Sequence, residues 1–301
     1  MFDVSIVILN WNTRQLLADC IETIFQYQGN LNIEIIVVDN NSSDDSQTMI
    51  QTQYPHVKLI ENHKNVGFAK GNNQGVVISQ AKYVLLLNSD AFLHENSLQI
   101  LLGLIETTPQ IGIVGAHLRN EDGTFQASHT DFPTLWQELL ILSGLGRLFY
   151  GHWYPSYGPD ELEGAKVADY VVGACLLVRK TAYESIGGFD ETYFMYAEEV
   201  DLCYRMRQAG CEVWYQPVAK VTHLGGASSR HRPTQRERDL YRSRIQFFRT
   251  HYGNIHAELL KWQIYAFTTI KFIGHGLIRF LSGGRYGRLV VSPFELYTKK
   301  G

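Results

Sequence analysis

Apolar runs of four to six residues recur along the first third of the chain, and a polar cluster stops most of them. They fall at 4–9 (VSIVIL), 33–38 (IEIIVV), 57–60 (VKLI) and 83–87 (YVLLL). Runs of this length without strict alternation suit strands buried on both faces. Between them lie stretches with helical spacing, near 14–27, 44–53 and 70–80, and another follows near 95–106. The alternation predicts βαβ units, hence an α/β fold with a mostly parallel sheet and helices on both faces.

The polar stops are Asn10-Trp11-Asn12, Asp39-Asn40-Asn41-Ser42 and Asn88-Ser89-Asp90. Open α/β sheets bind ligands beyond the carboxyl ends of their strands, so three polar ends on one edge predict a cleft there. The second half is less regular. Residues 111–118, 170–178 and 213–215 read as strands, Asp122-Gly123 as a turn, and 198–208 as a helix stopped by Gly210. Between about 132 and 166 no period is evident, and that stretch, with Trp136 and Trp153, is expected to be a mobile loop over the cleft.

The chain has 301 residues, enough for one large domain or two modest ones. Its 45% hydrophobic and 19% charged residues are those of a soluble globular protein. The four cysteines form no CxxC pair, which points to reduced thiols in a cytosolic compartment rather than zinc or disulfides. The N-terminus has no basic segment before its first strand, so no signal peptide is expected. The net charge of −3 hides an asymmetry: residues 228–301 carry 14 Lys/Arg against 4 Asp/Glu (+10), and the remainder carries 13 against 26 (−13). A basic tail suits an anionic partner or a solvated surface; an acidic body argues against nucleic acid.

Each polar cluster has a chemical and a local reading. Asn88-Ser89-Asp90 offers oxygen ligands to a hard cation, or an Asx turn leaving the strand. Asp39 can accept from a base N–H or a ribose hydroxyl; Ser43 or Asp44 would cap the next helix and leave Asp39 free. The glycine-punctuated stretch from Asn65 to Gly75, with Gly67, Lys70 and Asn72, enters a helix and suits an anion, or else turn and close-packing glycine. Around Phe189-Asp190-Glu191 and Glu198-Glu199-Val200-Asp201, carboxylates gather at a helix start. Glu198 and Asp201 share a face, while Glu199 projects about 100° away. His223, in VTHLGG, follows a strand candidate.

In this order the motifs NWN, DNNSSD, NVGFAKGNN, LLLNSDAF, GGFDETYFMYAEEVDLCYR and the His before GG resemble those of family 2 glycosyltransferases with the GT-A (Rossmann-like) fold. The similarity runs from about residue 4 to 226 and is strongest to bacterial rhamnosyltransferases of cell-surface polysaccharide assembly. It implies that Asp39 holds the nucleotide base, with Asn10, Asn12 and Asn41 lining that pocket. Gly67, Lys70 and Asn72 would lie near the diphosphate-sugar, with Asn88 and Ser89 beside it. It implies Asp90 and His223 as ligands of Mg2+ or Mn2+, and Glu199, with Glu198 next, as the catalytic base. Asn88 and Glu199 stand where many relatives carry Asp. The QxxRW signature of processive synthases is not seen, which implies addition of one or a few sugars. The resemblance thus implies an inverting, metal-dependent glycosyltransferase using a dTDP-, UDP- or GDP-linked donor and a lipid-linked or saccharide acceptor. The alternatives are a non-catalytic nucleotide-sugar-binding protein and a sugar nucleotidyltransferase.

The expected organisation is a catalytic domain over 1–227, with a nucleotide-sugar half to about 118 and an acceptor half over 119–227, then a helical C-terminal extension over 228–301. In a helix over 259–282, Lys261, Thr268, Lys271, His275, Arg279 and Ser282 share an arc of about 80°, and apolar residues fill the rest. That pattern suits a helix in the membrane interface, beside the upstream run Arg230, Arg232, Arg236, Arg238, Arg242 and Arg244. It would equally suit packing on the catalytic domain or in a homo-oligomer. The expected location is cytoplasmic, peripheral on the inner face of the cell membrane.

Overall fold

In a computed structural model of the chain, residues 2–159, 164–226 and 233–281 are described, the last stretch with side chains over 235–275. Arg230, Arg232 and Ser282, named above, lie outside the described residues, as does the side chain of Arg279. In chain order the elements are β1 (Val4–Asn10), α1 (Arg14–Tyr27), β2 (Ile33–Asp39), α2 (Ser46–Gln53), β3 (Lys58–Glu61), α3 (Phe68–Ile78), β4 (Tyr83–Asn88), β5 (Ala91–Leu93), α4 (Ser97–Thr107) and β6 (Ile111–Arg119). There follow β7 (His129–Thr130), α5 (Leu135–Ser143), α6 (Leu145–Tyr150), β8 (Lys166–Val167), β9 (Tyr170–Val171), β10 (Cys175–Arg179), α7 (Lys180–Ser185), α8 (Glu198–Gln208), β11 (Glu212–His223), α9 (Pro233–Tyr252) and α10 (Asn254–Leu281).

The chain forms two compact units. The first comprises Met1–Phe132, Ser156–Phe194 and Glu198–Ser228, and the second Pro133–Pro155, Met195–Ala197 and Ser229–Gly301. The first is built on a sheet ordered β3-β2-β1-β4-β10-β6-β11-β5, with β8 added beside β11. Pairings β3–β2, β2–β1, β1–β4 and β6–β11 are parallel; β10 runs antiparallel between β4 and β6. Hence β1, β2, β4, β6 and β11 all point the same way, and their polar ends share one edge.

Strand alternation divides the core. Val4, Ile6, Ile8, Leu85 and Leu87 pack toward α1 and α4, with Leu17, Ile21, Ile24, Leu98 and Leu101. Val7, Val84 and Leu86 pack on the other face with Val76 of α3 and Leu202 and Met206 of α8. This two-sided burial is why the strands read as continuous apolar runs. Each fully buried Ile or Leu contributes about 1.5–3 kcal/mol. Helix α3 comes close to β1 because of two glycines: a Cβ on Gly71 would lie 2.3 Å from a Leu9 methyl, and one on Gly75 2.3 Å from a Val7 methyl.

Three expectations need correction. The stretch 132–166 contains helices α5 and α6; Thr134 caps α5 with a full capping box, accepting from Gln137 N and donating its own N–H to the Gln137 side chain. The strand expected over 170–178 is two strands, β9 and β10, separated at Val172-Gly173-Ala174. The strand expected at 213–215 extends to His223, so His223 ends a strand rather than following one.

In the second unit α10 packs against α9 and α5 through Ala257, Leu260, Ile264 and Thr268, all fully buried. Arg244 of α9 donates to buried Glu138 of α5 at 2.8 Å. Thr268, of the polar arc, is buried and donates to the Ile264 carbonyl.

Candidate active site

The ends of β1 and β2 are fastened to each other. Asp39, fully buried, accepts from Asn10 Nδ2 on Oδ2 (2.8 Å), and from Ser42 N (2.9 Å) and Gln47 Nε2 (2.6 Å) on Oδ1. Asn12 and Asn41 are exposed, both with left-handed φ (54° and 63°), a conformation Asn tolerates. Asn12 Oδ1 accepts from Ser43 N (2.7 Å), and Ser42 Oγ accepts from Asn12 N (2.9 Å). Asp39 is therefore not free as expected; three donors occupy all but about one of its acceptor positions, the one left being on Oδ2. Asp44, expected as a cap of α2, accepts from Ser46 N at the start of α2 and from Arg14 N at the start of α1.

A hydrogen-bond chain carries this network to β4. Thr13 Oγ1 gives its proton to Asn10 Oδ1 (2.7 Å), so Ser89 Oγ donates to Thr13 (2.8 Å). Ser89 and Asp39 are thereby held in one buried lattice through Thr13 and Asn10. Gly67 adopts φ 89°, and its carbonyl accepts from Asn40 Nδ2 (3.2 Å). A Cβ there would lie 2.6 Å from the Phe194 carbonyl, which accepts from Phe68 N. Lys70 lies on the exposed side of α3, 3.4 Å from Glu191, and Asn72 points into α3 and donates to the Phe68 carbonyl. Gly67, Lys70 and Asn72 thus face three ways rather than forming one cradle.

Asp90 and His223 meet because β5, directly after Asp90, pairs antiparallel with the end of β11: Ala91 lies opposite His223, and Leu224 N donates to the Asp90 carbonyl. His223 Nε2 lies 3.3 Å from Asp90 Oδ1 and 3.3 Å from Asn88 Nδ2. The other ring nitrogen faces Gln126 Oε1 at 2.7 Å, while Gln126 Nε2 donates to the Asn120 side chain and the His223 carbonyl, both at 3.0 Å. With its nitrogen spent on those two acceptors, Gln126 turns its oxygen to His223, so Nδ1 carries the proton. In the neutral ring Nε2 then presents a lone pair toward the Asp90 carboxylate. That lone pair faces the Asn88 amide as well as the Asp90 carboxylate, and a cation could take the amide's place between His223 and Asp90.

Carboxylate plus imidazole suits a divalent cation that keeps the rest of its shell for a diphosphate and water. Among the described residues no group of three or more His, Cys, Asp or Glu forms a ready-made cage. Asp90 and His223 could supply two ligands of such a shell, with the Asn88 amide beside them.

The acidic helix start separates its carboxylates as the wheel predicts. Glu198 and Asp201 are buried, and Glu199 is half-buried, its Oε2 shielded from solvent. Asp201 is committed to Arg205, which donates to it from Nε (2.8 Å) and Nη2 (2.5 Å). Glu198 Oε2 is buried without a hydrogen-bond partner, and burial, then the neighbouring Glu199, pushes its carboxyl well above the usual carboxylate range. Tyr196 and Ala197, directly before α8, both adopt left-handed φ (71° and 62°), strain of the kind that gathers at functional sites. Glu199 stands over Gly173, where an added Cβ would come within 3.4 Å of it. Cys175 pairs with Leu87 and the Ala174 carbonyl accepts from Asn88 N, which sets Gly173 level with Ser89. Glu199 therefore stands over the same strand ends as Asn88 and Asp90.

Sequence reasoning missed Gln126, Thr13 and Gly173. Thr13 adjoins a recognised motif, whereas Gln126 lies in a loop after β6 and carries no signature.

A family model described as glycosyl transferase family 2 matches residues 5–187. The chain is 27% identical over 249 residues to an N-acetylglucosaminyl-diphospho-decaprenol L-rhamnosyltransferase of Mycobacterium tuberculosis, covering 77% of this chain and 80% of that protein. It is 26% identical over 226 residues to the low-salt glycan biosynthesis hexosyltransferase Agl10 of Haloferax volcanii, covering 73% and 67%. Among solved structures, the mannosyltransferase PcManGT from Pyrobaculum calidifontis, in complex with GDP-Man and Mn2+, superposes with a TM-score of 0.58 at 14% identity. That match covers 94% of this chain and 79% of the other, and the shared fold is GT-A.

Proposed function

The chain belongs to glycosyl transferase family 2 and is a glycosyltransferase, and on that premise we propose that it adds a single hexose or deoxyhexose, with inversion, to a lipid-linked or saccharide acceptor. The donor is a dTDP-, UDP- or GDP-linked sugar, rhamnose is the specific candidate, and the product is a surface polysaccharide precursor. The relative from Mycobacterium tuberculosis supports both the sugar and a polyprenyl diphosphate acceptor, which its name states for that protein. Residues 1–227 act as the catalytic region and 228–301 as the extension, with the protein peripheral on the inner membrane face.

One observation carries the reading: Glu199, half-buried, stands over the strand ends that carry the donor pair Asp90 and His223. Glu199 takes the proton of the acceptor hydroxyl as its oxygen attacks the anomeric carbon. Glu198, whose carboxyl burial raises well above the usual carboxylate range, is the second candidate. One base and one displacement give inversion. Asp90 and His223 would hold Mg2+ or Mn2+, with Asn88 and Ser89 alongside; such an ion neutralises charge on the departing diphosphate. Asp39, with Asn10, Asn12 and Asn41, borders the nucleotide base; Gly67, Lys70 and Asn72, which face three ways, are not assigned together to the diphosphate-sugar. The test is release of nucleoside diphosphate from a panel of nucleotide-sugars with Mn2+ and candidate acceptors. Glu199→Gln should lose transfer; native rates in that variant would remove the proposed base.

A further inference from the structure

We propose that the outer face of α10 lies in the surface of an anionic lipid bilayer. Ile255, Leu259, Trp262, Ile270 and Ile273 are 49 to 77% exposed. At about 100° per residue they share an arc of about 80°, and at about 1.5 Å per residue the stripe runs about 27 Å. The opposite side of α10 is the packed one, through Leu260, Ile264 and Thr268. The helix is therefore apolar on both sides, a pattern that in a water-soluble helix requires a cover on each. Part of the polar arc, at Thr268, is buried against protein, and the apolar stripe is left outside.

Charge selects the cover. The region 228–301 carries 14 Lys/Arg against 4 Asp/Glu, so a second copy would bring like charge to like charge, whereas anionic headgroups attract it. Trp262 within the stripe suits the headgroup boundary. Among the described residues no helix is long and apolar enough to cross a membrane, so α10 lies along the surface rather than through it. The same unit exposes Trp136 of α5 and Leu148, Phe149 and Tyr150 of α6. This inference rests on the proposed membrane setting and names the face that meets the lipid.

The experiment compares the native chain with Trp262→Ser/Ile270→Ser/Ile273→Ser in co-sedimentation with vesicles of phosphatidylglycerol and phosphatidylcholine. All three side chains are exposed, so the variant should melt like the native protein and bind UDP, dTDP or GDP equally well. The native chain is expected to partition onto the vesicles, and the variant at least tenfold less. The proposal is overturned if the native chain stays in the supernatant or the variant partitions equally. It is also overturned if sedimentation without lipid shows a dimer that the triple substitution dissociates, because the stripe then joins two copies. Loss of nucleotide binding in the native protein would instead count against the proposed activity and leave the vesicle result standing.

Discussion

His223 Nε2 lies 3.3 Å from Asp90 Oδ1, with Nδ1 of the same ring held at 2.7 Å by Gln126. The pair is a product of topology: β4 delivers Asp90 to the sheet edge, and β5 turns back along β11 to bring His223 beside it. If that pair holds a cation, Asp90→Asn and His223→Ala should each abolish measurable Mn2+ binding in the presence of nucleoside diphosphate. Isothermal titration or Mn2+ resonance reads this directly, and native affinity in both variants would remove the cation from this site.

Gln126 acts through His223. Replacing it with Leu keeps the bulk but frees the ring to rotate and change tautomer, so Mn2+ affinity should fall about 10–100-fold. Glu at 126 restores an acceptor for Nδ1–H and should recover part of the loss. A nitrogen spectrum of His223 checks the cause, since the native ring should carry its proton on Nδ1. An unchanged tautomer in Gln126→Leu would contradict the assigned role.

The Glu198 carboxyl is raised well above the ordinary value near 4.5 by burial and then by Glu199. A raised carboxyl means that the folded state binds more protons than the unfolded one above that value, so stability falls as pH rises from about 4.5 toward the folded value. Glu198→Gln, which stays neutral, should flatten that decline and melt higher than the native protein at pH 8 while matching it more closely at pH 4.5. Parallel melting curves across that range would show that Glu198 is ionised in the fold.

Gly75 is needed for the approach of α3 to β1. A Cβ there would lie 2.3 Å from one Val7 methyl and 3.1 Å from the other. Gly75→Ala should therefore cost about 1–3 kcal/mol, as overpacking does. Denaturant unfolding measures it, and a loss near zero would mean that α3 shifts freely over the sheet.

Much of this was legible in the sequence. The runs at 4–9, 33–38 and 83–87 announced themselves because helices cover both faces of the sheet, and their polar stops became Asn10, Asp39 and Asn88 at one edge. The spacing of Glu198, Glu199 and Asp201 set the half-buried Glu199 apart from the two buried residues. Three features were not legible. The pairing of β5 with β11 is a long-range choice that a three-residue strand cannot signal. Gln126 touches His223 through tertiary placement alone. Helices α5 and α6 were hidden because Trp136, Leu148 and Phe149 are apolar yet exposed, which blurs the helical period.

The central claim is that Asp90 with His223 and Glu199 serve one reaction in separate roles. The measurement that tests it most directly sets Mn2+-dependent nucleotide binding beside sugar transfer in Asp90→Asn and Glu199→Gln. The predicted result is that Glu199→Gln binds Mn2+ and nucleoside diphosphate as the native enzyme does but transfers about 100- to 10,000-fold more slowly, while Asp90→Asn loses both. Native transfer by Glu199→Gln, or native Mn2+-dependent nucleotide binding by Asp90→Asn, would contradict it.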